Sequence, residues 1–220
     1  MPLPPLEGIE TWIFDLDNTL YPPELRLQEQ IDARMAGFIM AETGLDRAAA
    51  DALRHDYWQA YGTTLRGLML HHGVDPACFL AAAHAIDYSV LRPDPVLARV
   101  IAALPGRKIV HTNGARSHAA TVIAARGLDG VFEVVFAIED KDLAPKPSDK
   151  AYRTILQRAG IEPASAAMIE DDARNLEVPK ALGMATVWLC HQDDRPAPAH
   201  VDHRITDLTG FLSAHTGPPD

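Results

Sequence analysis

Five short, unbroken apolar runs constrain this chain's fold more than any other feature. They are Thr11–Asp15 (TWIFD), Lys108–Thr112 (KIVHT), Val134–Ile138 (VVFAI), Ala166–Ile169 (AAMI) and Thr186–Cys190 (TVWLC). A strand open to water on one side alternates apolar and polar residues. A continuous run instead predicts a strand covered on both faces. The stretches between the runs have helical punctuation. Asp94-Pro95 opens a helix over Val96–Leu104, stopped by Pro105-Gly106, and Gly127, Gly160 and Gly183 close helices over Ser117–Arg126, Asp149–Ala159 and Asn175–Leu182. Strands alternating with helices predict an α/β fold with a doubly wound parallel sheet.

The interval from Glu24 to Leu91 breaks this rhythm, because it is too long for one crossover. Leu27, Ile31, Met35 and Phe38 form one apolar stripe, and Leu53, Tyr57 and Tyr61 form a second, closed by Gly62. Thr63-Thr64 opens a third helix that ends at Gly73, and Asp75-Pro76 opens a fourth. The expectation is a small all-helical cap over residues 21–91, inserted into an α/β core made of 1–20 and 92–220. At this spacing Tyr57, Trp58 and Tyr61 read mainly as core, with a substrate-facing role for any one of them as the second reading, and the tail from Gln192 to Arg204 reads as a loop.

Composition excludes several classes. Hydrophobic residues are 47% and charged residues 23% of the chain, as in soluble globular proteins. No apolar run approaches the roughly 20 residues of a membrane span, and the N-terminus lacks the pattern of a signal peptide. Cys78 and Cys190 form no CxxC pair, which fits a reducing, cytoplasmic setting. A formal net charge of −10 argues against nucleic acid as a partner. It leaves room for a small phosphorylated substrate, since a bound divalent cation reverses the local field. Monomer and homodimer both stay open.

In an open parallel sheet, ligands sit beyond the carboxyl ends of the strands. Asp15 and Asp17 stand there after the first run, and Thr112, Asn113 and Gly114 after the second. Lys146, between Pro145 and Pro147, follows the third, and Glu170, Asp171 and Asp172 follow the fourth. A carboxylate can attack phosphorus and split hydrolysis into two easier steps. Crowded acids call for a counter-ion, and an all-oxygen donor set favours Mg²⁺ over zinc. A hydroxyl, backbone amides and a lysine suit the peripheral oxygens of a phosphoryl group. A second acid two residues from the first can shuttle the proton.

These four segments resemble, in order and spacing, the motifs of the haloacid dehalogenase (HAD) superfamily of phosphatases. DLDNTLYP resembles its DxDxT motif, HTNG its second, Lys146 in APKPS its third, and IEDDARNLEVPKALGM its fourth. Within the superfamily, DNTLYP, YGTTLRGL and HTNG look most like the pyrimidine 5′-nucleotidase branch. The resemblance implies that Asp15 is the nucleophile and a Mg²⁺ ligand. Asp17 would be the general acid/base and give its carbonyl to the metal. Thr112 and the Asn113 amide would hold the phosphoryl group, and Lys146 would bridge it to the nucleophile. Asp171 would bind the metal directly and Glu170 through water or from behind. Relatives usually have Ser where this chain has Asp172, which leaves the division of labour among the three acids open. From the cap, Arg66 with Thr64 are the expected substrate contacts.

The implied activity is Mg²⁺-dependent hydrolysis of a small phosphate ester through an aspartyl-phosphate, with a pyrimidine nucleoside 5′-monophosphate first among substrates. The alternatives are another ester (a sugar phosphate or phosphoglycolate), a phosphomutase, a haloacid dehalogenase, or a non-catalytic binding protein. A dehalogenase has no need of the acid at Asp17. An EF-hand reading of DLDNT fails, because Leu20 and Arg26 occupy its glycine and bidentate-Glu positions. His71-His72 reads as a helix end, His111 as packed, and Asn175 as the start or cap of its helix, with orientation of the acidic loop as its second reading. His200-x-x-His203 reads as a solvated tail rather than a metal pair. GxGxxG, P-loop and GxSxG motifs do not occur.

Overall fold

A computed structural model describes residues 6–191 and 196–216. Its centre is a six-stranded parallel sheet in the order β3-β2-β1-β4-β5-β6. The strands are β1 (Thr11–Phe14), β2 (Arg107–His111), β3 (Val134–Phe136), β4 (Ala166–Glu170), β5 (Ala185–Leu189) and β6 (His203–Ile205). The first five coincide with the five apolar runs, and the reason is visible in β1. Trp12 and Phe14 enter one core cluster with Val110 and Ile169, while Ile13 enters a second on the opposite face with Ile109 and Met168. Both directions of the side-chain alternation are buried, so Trp12, Ile13 and Phe14 follow one another without a polar break, and Thr11 at the start of the strand is itself buried.

The sixth strand corrects the expectation of a loop-like, solvated tail. His203 and Ile205 are buried against the sheet, and β6 pairs with β5 in the register Val187↔His203. Three residues alternating inside and out at a sheet edge leave no apolar run to read. The beginning of that tail, 192–195, lies outside the described residues.

Four helices make up the insertion that follows β1: α1 (Leu27–Thr43), α2 (Arg47–Tyr61), α3 (Thr64–His72) and α4 (Pro76–Ala83). Side chains of Asp46, Thr63 and Asp75 cap α2, α3 and α4 by accepting from Ala49, Arg66 and Ala77 N–H groups. Gly67 permits the close crossing of α2 and α3, since a Cβ there would stand 2.2 Å from the Tyr57 ring. The helices share an apolar cluster, including Ile39, Leu68 and Phe79, that also takes in Ala115 and Ile138 from the loops after β2 and β3. The insertion thus lies over the carboxyl end of the sheet.

Tyr57, Trp58 and Tyr61 are not the deep core that their spacing predicts. Trp58 is 37% exposed, and the Tyr57 and Tyr61 hydroxyls meet His72 and His71 at 2.9 and 2.7 Å. Their polar tips are satisfied only near the surface.

The remaining helices are α5 (Pro95–Ala103), α6 (Arg116–Ala125), α7 (Asp149–Ala159), α8 (Glu177–Ala181) and α9 (Leu208–Ser213). The helix expected over Asn175–Leu182 starts instead as a 3₁₀ turn, Ala173–Leu176, capped by Asp172 rather than Asn175. Where the chain leaves and rejoins the core, the buried Arg126 donates to Leu20 O (3.1 Å), Arg92 O (2.7 Å) and Asp94 Oδ2 (2.7 Å). Among the described residues no helix is long and apolar enough to cross a membrane.

Candidate active site

The carboxyl ends of β1, β2 and β4 bring the acidic and hydroxyl residues together. Asp15 N–H still donates to Ile169 O at 2.9 Å, so its carboxylate is placed by the sheet itself. Lys146 reaches it from the loop after β3, with Nζ 2.5 Å from Asp15 Oδ1 and 2.6 Å from Glu170 Oε2. Asn175 Nδ2 donates to the other Glu170 oxygen at 3.0 Å, so Asn175 orients the acid instead of capping a helix.

These groups are buried, and burial sets their proton affinities. Desolvation raises Asp15, with Asp17 adding to the rise, while Lys146 opposes it. Desolvation and Asp15 push Glu170 up to about 7 against the pull of Lys146 and Asn175. Burial works against the charge on Lys146, but its two carboxylate partners outweigh that and raise it.

Asp171 is different. No side-chain hydrogen bond or ion pair reaches its carboxylate among the described residues, and burial followed by Glu170 and Asp15 raises it well above the usual range. Carboxylate oxygens of Asp15, Glu170 and Asp171 lie within 4.8 Å of one another. One lysine for three crowded acids leaves a deficit of positive charge, and hard oxygen donors are what Mg²⁺ requires. The donor set therefore fits a divalent cation. Asp172 is engaged otherwise: it accepts from the Arg174 N–H, and the Arg174 guanidinium forks onto it at 2.8–3.2 Å. Arg174 in turn lies over Trp58 of α2.

The loop after β2 is built to point hydrogens inward. Thr112 is fully buried, and its Oγ1 accepts from Gly114 N–H at 2.8 Å. Asn113 spends its side chain on the Lys146 backbone, donating to Lys146 O (3.1 Å) and accepting from Lys146 N–H (2.8 Å). Lys141, not anticipated from the sequence, is buried behind this loop and donates to Thr112 O at 2.7 Å. Burial, then Lys146, lowers its proton affinity well below the normal lysine range. Gly114 leaves little room for a side chain: a Cβ would stand 3.0 Å from His118 Cδ2 and 3.2 Å from Thr112 Oγ1, so those neighbours would have to give way.

Asp17 does not continue the strand. It sits in the turn that follows, before Asn18 at φ 55°, and its Oδ1 accepts from Tyr21 Oη and His118 Nε2, both at 2.6 Å. Burial alone would raise its pKa, yet His118 and Tyr21 more than offset that and hold it near about 2. His118, on the first turn of α6, was not singled out by sequence reasoning. Its only signal was a histidine four residues beyond Gly114.

Between insertion and sheet lies a cavity of about 470 Å³, lined by Asp15, Asp17, Thr112, Lys146 and Asp171 below and by α1–α4 above. Thr64 lines it, but it is buried with its hydroxyl donated to Arg54 O at 3.0 Å. Arg66 is a correction: it lies on the exposed face of α3 and is not part of the lining. The cationic group that lines the roof is Arg54, paired with Asp32 at 3.0 Å. His111 is packed edge-on against Tyr152, and His200 Nε2 donates to Ala173 O at 2.8 Å, apart from the acidic cluster of Asp15, Glu170 and Asp171.

Known proteins resemble this arrangement. Phosphate metabolism protein 8 of Saccharomyces cerevisiae (strain ATCC 204508 / S288c) is 26% identical over 196 residues, covering 81% of this chain. The match covers 60% of that protein's length. Among solved structures, a HAD phosphatase from Thermococcus onnurineus superposes with a TM-score of 0.63 at 18% identity, covering 94% of this chain and 97% of the other. The magnesium-bound HAD-hydrolase YfnB of Bacillus subtilis gives 0.61 at 15%, covering 94% and 98%. The 2-haloacid dehalogenase of Pseudomonas syringae pv. Tomato DC3000 gives 0.59 at 18%, covering 94% and 99%. At these identities the likenesses establish the fold. Residues 9–183, which hold all four of the motif segments converging on the cavity, match the model of the haloacid dehalogenase-like hydrolases, and the chain belongs to that family.

Proposed function

We propose that this hydrolase is a Mg²⁺-dependent phosphomonoesterase acting through an aspartyl-phosphate on a small ester, a pyrimidine nucleoside 5′-monophosphate being the first candidate. The observation that carries the reading is Asp17. A second carboxylate faces the same cavity as Asp15, two residues on, anchored through one oxygen. Hydrolysis of an ester needs a proton delivered to the leaving oxygen, whereas expulsion of a halide does not.

In this reading Asp15 attacks phosphorus, and Lys146 balances charge on the nucleophile and on the arriving phosphoryl group. The Thr112 hydroxyl, whose oxygen already accepts from Gly114, is free to donate its hydrogen to a phosphoryl oxygen. Asn113 has its side chain committed to Lys146, so what it offers is its main-chain N–H. Asp17 gives its proton to the ester oxygen and takes one from the attacking water in the second step. A dianionic phosphoryl group beside it raises its proton affinity above that of the ligand-free chain. Asp15, Asp171 and the Asp17 carbonyl would hold the cation, with Glu170 behind them. When bound, Mg²⁺ would neutralise the crowded acids and draw charge from the phosphoryl oxygens.

The substrate class is supported by the likeness of the DNTLYP, YGTTLRGL and HTNG segments to the pyrimidine 5′-nucleotidase branch and by a cavity of about 470 Å³ under a helical roof. The insertion would act as the cap that closes over the ester. A cytoplasmic setting, with no nucleic-acid partner and a monomeric or homodimeric state, completes the proposal. Phosphate release from UMP, CMP, sugar phosphates and phosphoglycolate in the presence of Mg²⁺ tests it. Preferential turnover of the pyrimidine nucleotides is expected. Failure to release phosphate from any of them overturns the reading.

A further inference from the structure

The Asp17 carboxylate is gripped from one side only. Oδ1 accepts from both His118 Nε2 and the Tyr21 hydroxyl. Oδ2 accepts no hydrogen bond among the described residues. It faces the phosphate-binding loop, 3.5 Å from where a Cβ on Gly114 would stand. The two oxygens of one side chain therefore have separate tasks, one anchored and one presented to the cavity.

The ring that does the gripping is itself fixed. His118 is fully buried, its Nδ1 lies 2.9 Å from Tyr88 Oη, and His84 stacks on it with centroids 4.5 Å apart. Tyr88 Oη is also 3.1 Å from His84 O. Tyr88 has one hydroxyl hydrogen, given either to His84 O or to His118 Nδ1. In both arrangements the hydrogen on His118 Nε2 is the one that faces Asp17, because an ionised carboxylate can only accept. His84 and Tyr88 come from the segment that follows α4 back to the core. A core acid is thus held by a core histidine that residues of the returning segment have seated.

We propose that His118 is a positioning residue for ester cleavage. By fixing Oδ1 it makes Asp17 Oδ2 the oxygen that exchanges protons with substrate, with Tyr88 and His84 holding the ring in place. In the first step the Asp15–phosphorus bond forms as the phosphorus–ester oxygen bond breaks. The electron pair of the broken bond stays on the ester oxygen, which takes the proton from Oδ2. In the second step the water oxygen bonds to phosphorus, the Asp15–phosphorus bond breaks, and the water proton returns to Oδ2. His118 exchanges no proton in either step. The proposal rests on the phosphatase reading.

Leaving-group dependence separates positioning from mere stability. p-Nitrophenolate departs with little help from an acid, whereas an alkoxide needs its proton. For His118→Leu we expect kcat/KM on an alkyl ester such as UMP, which reports the first step alone, to fall by roughly 10²-fold, the scale of a misplaced catalytic group. On p-nitrophenyl phosphate we expect a loss in kcat/KM within about 3-fold, since its leaving group needs no proton in that step. His118→Gln, whose amide N–H can stand near Nε2, should restore most of the loss. His118→Leu added to Asp17→Asn should cost less than about 2-fold more, since the two act as a unit. Tyr88→Phe keeps the question open to measurement if His118→Leu does not fold, and it should show the same asymmetry at smaller size. Equal losses on both esters, or full additivity with Asp17→Asn, would sink the positioning role while leaving phosphatase activity intact. A wild-type chain that releases phosphate from neither ester overturns the phosphatase reading, and the proposal with it.

Discussion

Arg174 lays its guanidinium 3.6 Å over the ring of Trp58 while forking onto Asp172. The contact joins the acidic segment after β4 to the second helix of the insertion. It also gives Asp172, the third acid of that segment, an occupation away from the cluster of Asp15, Glu170 and Asp171. A cation–aromatic pair at a partly exposed site is worth about 0.5–1 kcal/mol. Trp58→Ala should therefore weaken closure of the insertion and raise KM by about 2- to 5-fold, with a smaller change in kcat. Steady-state kinetics check this, and an unchanged KM counts against the contact having a role in closure.

Removing the nucleophile should separate function from stability. Asp15→Asn is expected to lower turnover by at least about 10³-fold. The same change removes a charge that burial and Asp17 already disfavour, so the melting temperature should not fall. Phosphate release and thermal unfolding, measured on one preparation, decide it.

Lys146→Met leaves Asp15 and Glu170 buried beside each other without their shared cation. Deleting one partner of a buried ion pair costs about 3–5 kcal/mol. The loss should be larger at pH 8 than at pH 5.5. Glu170 is held up near about 7, so at the lower pH it carries a proton and needs the lysine less. Urea unfolding at the two pH values measures the difference.

Mg²⁺ should stabilise the chain more as pH rises. The raised affinities of Glu170 and Asp171 mean that the metal-free fold keeps protons that a cation must displace. The folded chain holds such protons above the ordinary carboxylate range, so proton release accompanies binding, and binding tightens through pH 5 to 8. The increment in melting temperature on adding Mg²⁺ should grow across that range and vanish in Asp171→Asn.

The strands of this protein were readable because burial on both faces leaves an uninterrupted apolar record, as in TWIFD and TVWLC. β6 left none, because an edge strand of three residues buries only alternate positions. The placement of Asp15, Thr112, Lys146 and Asp171 followed from the strand-end rule, which needs only topology. Partners recruited across the fold were invisible. His118 meets Asp17 over 101 positions and Tyr88 over 30. Nothing in local periodicity records such a meeting. The sequence points to Arg66, beside Thr64, yet Arg66 is exposed on α3, while Arg54 of α2, which no local signal marks, lines the cavity.

Arg126 binds the chain at both ends of the insertion, at Leu20 on departure and at Arg92 and Asp94 on return. The two crossings are tied to a single rigid fork and cannot part independently. A swing of the four helices then has a fulcrum at this guanidinium, and translation away from the sheet would break three bonds at once. The same fork fixes where any insertion must leave and rejoin the core, but a different helical segment fitted between residues 20 and 92 would also have to replace Tyr21, His84 and Tyr88, which hold Asp17 and His118 at the floor of the cavity.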